Sequence, residues 1–537
     1  MTSTKSFILK VLASVMAVLA LSGCAAEENT DILPVINSSE VTKSNEITPG
    51  GELRIPMNSS PQSMHPLFVK ELQMRNIYSM IFEPLVALDE GSEPISSIAE
   101  SWSLEKETNT WTLRLRSNVH WHGGLGDVSG SDCAFTINKI LSSPSSIYYS
   151  VLSDFVDSAE GYDTTLIIHA KTSSYATVYA LNIPVIPESY YADKAEGCMD
   201  VPLGSGCYKV DSFTYGESTS MVLSVFSSWW KKLPYIERIT AVGYSSTEAM
   251  LNDLSSGLLD CVPTSLKTTQ VYEILDGISF QNYLSHNYVF LAFNVSRTAM
   301  QNAKFRQAIA YAVNRTDIIN NVYLSKASGA EQPIYNDSSL SSTSVTMYDH
   351  NATRAAQMLD ELSYVDNDGD GFVESNGQPI SLTLAVLSEP ENPVRLEAAE
   401  AIKSDLEAVG ISVTINALTL DSLKKTVAQR DYDMVLSGYY LSDTPDLKFA
   451  FTAGEGNLSE YFSDAVNSAF AAIDSASTID ELKSGMLLLQ TVVSSDLPQI
   501  GLFFEMNTFL YRDRLNLGTI RRESSVYENI NTWWLSN

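Results

Sequence analysis

A carboxylate in a loop that leaves a buried strand is the residue in this chain best placed for chemistry. Met434-Val435-Leu436 is a short apolar run suited to a buried strand, and Tyr440-Leu441-Ser442-Asp443-Thr444-Pro445-Asp446 follows it. In an α/β sheet such a loop opens into the crevice at the carboxyl ends of the strands. A carboxylate sequestered there needs a cation, because an unpaired buried charge costs several kcal/mol. An ammonium would meet that need through a charge-assisted hydrogen bond. The alternative is that Asp443 closes the turn before Pro445, as aspartate commonly does.

Two further clusters have the types and spacing of metal ligands. Asp366-Asn367-Asp368-Gly369-Asp370-Gly371 places Asp366, Asp368 and Asp370 as a calcium loop does, with Glu374 at the ninth position. The twelfth position is Gly377, so an EF-hand is excluded and calcium competes with an ordinary acidic surface turn. His120 and His122 share one face of an extended segment, but no third ligand accompanies them. Catalytic motifs fail in detail. Gly243-Tyr244-Ser245-Ser246-Thr247 departs from a nucleophile elbow at its last position. Gly204-Ser205-Gly206 lacks the remainder of a dinucleotide or phosphate loop, and no His-Glu-x-x-His occurs. These residues describe a binding protein and not an enzyme, with no cofactor beyond the calcium considered above.

The elements that must position Asp443 are legible around it. Ala399, Ile402, Leu406 and Val409 recur at helical spacing, and Gly410 ends that helix. Ile411, Val413 and Ile415 alternate with polar residues as a half-buried strand does, and a second helix runs from about Leu423 to Ala428. Alternating strands and helices predict an α/β layer with a mainly parallel sheet. Upstream, Phe305, Ile309 and Val313 form one helical face, and Asn314-Arg315-Thr316-Asp317 opens the next helix as a capping box. Arg306 and Arg315 fall on other faces and are expected in solvent.

Length and charge bound the rest. A chain of 537 residues exceeds a single core, so two or more lobes are expected. A net charge of −30 argues against nucleic acid as a partner. Lys5 and Lys10 flank the start of an apolar stretch, Val11 to Leu21, that is too short to span a bilayer and is followed by Leu21-Ser22-Gly23-Cys24. The segment reads as a signal peptide over 1–23 and resembles a bacterial lipobox. That likeness implies diacylglycerol on Cys24, anchoring to the cell membrane on its outer side, and a polar tether over 24–49. Cys133, Cys198, Cys207 and Cys261 remain. A local Cys198–Cys207 bridge is open to them, but four cysteines allow three pairings and the sequence does not choose.

Several segments, in order, resemble the peptide-, opine- and nickel-binding family of extracytoplasmic solute-binding proteins that serve ATP-binding-cassette importers. They are Pro61–Pro66 (PQSMHP), Ile81–Leu85 (IFEPL), Ile98–Trp102 (IAESW), Trp111–Arg116 (WTLRLR) and Val119–Gly124 (VHWHGG). Pro202–Tyr208 (PLGSGCY), Leu291–Asn294 (LAFN) and Phe305–Arg315 (FRQAIAYAVNR) continue the series. The resemblance implies an α/β, two-lobed Venus-flytrap of the periplasmic binding protein-like type II class, with an extra N-terminal subdomain. It places lobe I at 50–290 with a subdomain near 62–185, lobe II at 291–498, and a C-terminal return to lobe I at 499–537. Chain crossings are expected near Ser285–Ala292 and Leu497–Phe504. By position, Asp443 corresponds to the aspartate that holds a peptide's α-ammonium, with Tyr440 where tryptophan is usual and Leu447 where proline is usual. Tyr439, Ser442 and Asn294 join it as candidate ligand contacts. The implied protein is a monomeric receptor that passes short peptides to a permease and its ATPase. Nickel-chelate, oligosaccharide and peptide-sensing roles stay open on the same fold.

Overall fold

The computed structural model describes residues 47, 49–390 and 392–536. Cys24, the signal segment and nearly all of the tether lie outside the described residues. The first described strand, Glu52–Asn58, buries Leu53, Ile55 and Met57 completely. It pairs in parallel with Arg238–Tyr244, which continues antiparallel to Ser220–Val225 and then Tyr208–Thr214. A second four-stranded sheet is wholly antiparallel and runs Ala99–Glu105, Thr110–Leu115, Thr165–Ala170, Val156–Tyr162. Its strand Thr110–Leu115 turns Trp111, Leu113 and Leu115 inward and leaves Thr112 and Arg114 exposed, the period-2 alternation its sequence predicts.

The α/β grammar around Asp443 is realised in a seven-stranded sheet. Helix Val394–Glu407 buries Ala399, Ile402 and Leu406. It is followed by Gly410 at a φ of +87°, a left-handed position that glycine adopts without strain. Strand Ser412–Leu418, helix Leu420–Ala428 and strand Met434–Tyr440 then succeed one another. Strand Ser381–Leu387 lies between the two and is parallel to both.

Two long strands, Ile278–Phe293 and Gln499–Arg512, pair antiparallel and run through the whole molecule. One end packs in a core containing Leu53, Trp111, Tyr283 and Phe509. The other supplies Val289, Leu291, Leu502 and Phe503 to a core with Leu384, Ile402 and Leu436. The register breaks between these cores: Leu284 faces Met506 and Tyr288 faces Phe504, so Ser285, His286 and Asn287 share the single opposing residue Glu505. Such a bulge bends a strand and interrupts its ladder. Here it frees the Leu284 amide to donate to the Arg521 carbonyl (2.8 Å) and the His286 carbonyl to accept from the Leu441 amide (2.9 Å). The result is a two-lobed α/β fold joined by continuous strands.

Other expectations need correction. Arg306 is not on the surface but 4% exposed. Helix Ile479–Asp496 ends on Leu497 in the left-handed region, leaving terminal carbonyls that need donors. Arg306 supplies them, donating to the carbonyls of Leu497 (2.9 Å), Asp496, Met300 (2.6 Å) and Gln301 (3.1 Å). Arg315 is also largely buried and pairs with Glu331 at 2.6 Å. The four cysteines after Cys24 are free thiols, and Cys133, Cys207 and Cys261 are buried.

Candidate functional site

Strand Met434–Tyr440 ends against the bulge, with Tyr440 opposite Asn287. The loop that follows is held by its own polar groups. The Leu441 amide is tied to the bulge, and the Ser442 hydroxyl closes the turn by accepting from the Thr444 amide (3.3 Å) and donating to the Thr444 carbonyl (3.3 Å). Asp446 accepts from the Lys448 amide (3.0 Å) at the start of the next short helix. Asp443 takes no part in this turn. Its side chain is half-buried, and among the described residues no group donates to its carboxylate.

Asp443 lines an interlobe cavity of about 50 Å³ together with Tyr335, Met486, Ser92, Tyr179 and Arg522. These six residues come from six separate stretches of chain. Arg522 donates to Asp337 (2.7 Å) and to the Ser92 hydroxyl, and its guanidinium lies 4.3 Å from the centre of the Tyr335 ring. The Tyr335 hydroxyl lies 2.8 Å from His286 Nδ1 and 3.3 Å from the Ser285 carbonyl, so it reads the bulge directly. Burial, and then the Asp443 charge, push that phenol well above its ordinary range. Tyr440 donates to the buried Glu523 (2.7 Å), which also accepts from Asn507 (2.9 Å). Desolvation and the Glu523 carboxylate push Tyr440 up to about 12. Glu528 is open to solvent over part of its surface. Desolvation and the Asp443 charge, with a smaller push from Glu90, still raise it to about 7 against Lys231 and Arg522. The cavity therefore offers one carboxylate that has no donor among the described residues, in a setting where a cation would be favoured.

Residues 93–457, well over half of the chain, match the family described as bacterial extracellular solute-binding proteins, family 5. The chain belongs to that family. It is accordingly a non-catalytic, solute-binding component of an importer. The oligopeptide-binding protein AppA of Bacillus subtilis is 22% identical over 98% of this chain and 98% of its own. The nickel-binding periplasmic protein of Escherichia coli is 21% identical over 67% of this chain and 69% of its own. Among solved structures, AppA of B. subtilis with a nonapeptide aligns at a TM-score of 0.62 and 20% identity, covering 92% of this chain and 100% of that one. The nickel transporter protein of Bacillus halodurans aligns at 0.77 and 18% identity, covering 88% and 98%.

In this family 5 protein Ser442 lines the cavity beside Asp443, whereas Tyr439, Tyr440 and Asn294 are not among its lining residues. Tyr439 points the opposite way from Tyr440 along the strand. Its hydroxyl donates to the Gly456 carbonyl (2.9 Å) and its ring packs on Phe290 and Phe449. Asn294 is fully buried at the far end of the long strand. Its amide donates to the carbonyls of Arg430 (3.1 Å) and Tyr432 (3.0 Å), and its oxygen accepts from the amide and hydroxyl of Ser296. Ser442 stands beside Asp443 but is engaged in the turn. Oxygens of Asp366, Asp368 and Glu374 lie within 4.8 Å of one another, without Asp370. Asp366 already accepts from the Gly369 and Gly371 amides, and Glu374 from the Asn367 amide and side chain. His120 pairs with Asp127 (2.6 Å). His122 is buried between the Gly204 amide and the Gly206 carbonyl, and burial lowers its pKa to about 4.

Sequence reading missed Arg522, Glu523, Tyr335 and Ser92. Only the Arg521-Arg522 pair, basic in a strongly acidic chain, could have drawn attention.

Proposed function

We propose that this family 5 protein is a lipid-anchored, extracytoplasmic receptor that captures short peptides between its lobes and passes them to the permease and ATPase of an importer. The observation that carries the peptide reading is Asp443, a half-buried carboxylate in the interlobe cavity with no donor among the described residues. A peptide's α-ammonium supplies the donors and charge that such a group needs. None of the six histidines of the chain lines the cavity, which favours a peptide over a nickel chelate. The Ser-Gly-Cys ending of the apolar N-terminal stretch supports an anchor on Cys24. The receptor acts as a monomer, and the Asp366–Glu374 turn, closed by its own carboxylates, is assigned no part in capture.

One experiment addresses anchor and ligand together. Native mass spectrometry of the detergent-extracted protein should show the mass of a diacylglyceryl modification on the N-terminal cysteine. After incubation with a mixture of two- to six-residue peptides, it should show peptide adducts. An unmodified chain contradicts the anchor. Adducts with nickel and histidine but with none of the peptides contradict the peptide reading.

A further inference from the structure

Residues 172–180 leave the antiparallel N-terminal sheet and reach across to the other lobe. The Ser174 side chain is fully buried, and its hydroxyl donates to the Ile473 carbonyl at 2.7 Å. The next amide, that of Tyr175, donates to the Ala476 carbonyl at 2.5 Å. Ile473 lies in the last turn of helix Asp464–Ser475, where its carbonyl also accepts from the Ala476 amide (3.3 Å), and Ala476 is the residue that caps that helix. The Tyr175 side chain points back into its own sheet. Its hydroxyl accepts from Trp102 Nε1 (3.3 Å) and its ring meets Trp111 edge-on at 5.9 Å.

The short helix Ala176–Ala180 that follows is buried at every residue and serves two cores. Val178 and Ala180 pack with the N-terminal core around Leu113 and Ile168. Ala176 and Tyr179 pack with Leu482 and Met486 of the opposite lobe. A few residues away, Lys483 of that lobe hydrogen-bonds Glu93 and holds its carboxyl below the ordinary range.

We propose that this N-terminal subdomain is the latch that holds the lobes together, with Ser174, Tyr175 and the Glu93–Lys483 pair as its positioning residues. A lobe that swings on the strands at Ser285–Asn287 must break all of these contacts and expose the Ala176–Tyr179 face. The subdomain thereby sets how much of the population is closed, and apparent affinity scales with that fraction whatever the ligand. The inference rests on two-lobed capture but not on the ligand being a peptide.

The test uses the full-length protein without ligand. Small-angle scattering and hydrogen exchange are compared for the wild type, Ser174→Ala, Glu93→Lys, and Glu93→Lys combined with Lys483→Glu. Loss of one such hydrogen bond should raise exchange in 172–180 roughly two- to tenfold. Glu93→Lys should enlarge the radius of gyration, and the charge-swapped double variant should restore it. Protection of strands 110–115 and 434–440 should stay at the wild-type level in every variant, which separates opening from unfolding. An unchanged radius and exchange in both single variants overturns the latch, as does failure of the swap to restore closure while both sheets stay protected. Neither result bears on which ligand binds, since none is present.

Discussion

Asp443 lines the interlobe cavity, and Glu528, outside that lining, feels its charge. Among the described residues no group donates to the Asp443 carboxylate, and desolvation and the Asp443 charge raise Glu528, though it keeps an exposed surface, to about 7. A cation bound at Asp443 offsets that charge and favours the ionised form of Glu528, so its pKa falls on binding. A carboxyl raised to about 7 is partly protonated near neutral pH, so binding of a cation at Asp443 should release part of the Glu528 proton. Affinity for an α-ammonium should therefore rise as pH increases through 7 and weaken below it. Calorimetry at pH 7 in two buffers of different ionisation enthalpy measures the proton count, and net release is expected. Uptake, or no exchange, would show that the cation binds elsewhere. Asp443 was legible because a strand pattern precedes it and a proline turn follows. Arg522, Glu523 and Ser92 were not, because each meets the site through contacts with segments far away in sequence, and no local spacing records such contacts.

At the scale of elements, the α/β segment was the clearest part of the sequence. Helix Val394–Glu407 exposes a polar face and buries an apolar one, and Gly410 marks a left-handed stop that few residues other than glycine adopt readily. Arg306 shows where periodicity misleads. It lies off the apolar stripe, yet it is buried because its partners Asp496 and Leu497 end a helix about 190 positions later in the chain. Arg306→Met should leave those carbonyls unpaired at a cost of about 3 kcal/mol or more. The melting temperature should fall by several degrees. Arg306→Lys should recover only part, since a single ammonium lacks the planar fork that reaches several acceptors at once. A scanning-calorimetry trace for Arg306→Met that overlays the wild type would remove Arg306 from the helix-end account. The histidine pair misled for a similar reason: alternation put His120 and His122 on one face, but the glycine turn at 204–206 claims both ring nitrogens of His122.

The whole molecule is two lobes joined by continuous strands, and the break in their register sits beside the loop that carries Asp443. That architecture was readable from ordered short motifs across the chain more than from any one of them. Only the resemblance placed chain crossings near Ser285–Ala292 and Leu497–Phe504; no periodicity recorded the pairing of the long strands. Ile278–Phe293 and Gln499–Arg512 are separated by some 200 residues, and pairing at that distance leaves no periodic trace. On the proposed reading, the lobes enclose a peptide by holding its α-ammonium on Asp443. Calorimetry with one tight-binding peptide, free and N-acetylated, against the wild type and Asp443→Asn tests it most directly. A hydrogen bond to a charged group is worth about 1.5–3 kcal/mol, so acetylation should weaken wild-type binding roughly ten- to over a hundredfold. The free peptide should bind Asp443→Asn about as weakly, and acetylation should then make little further difference, because either change deletes the same ion pair. Undiminished wild-type affinity for the acetylated peptide would contradict the account.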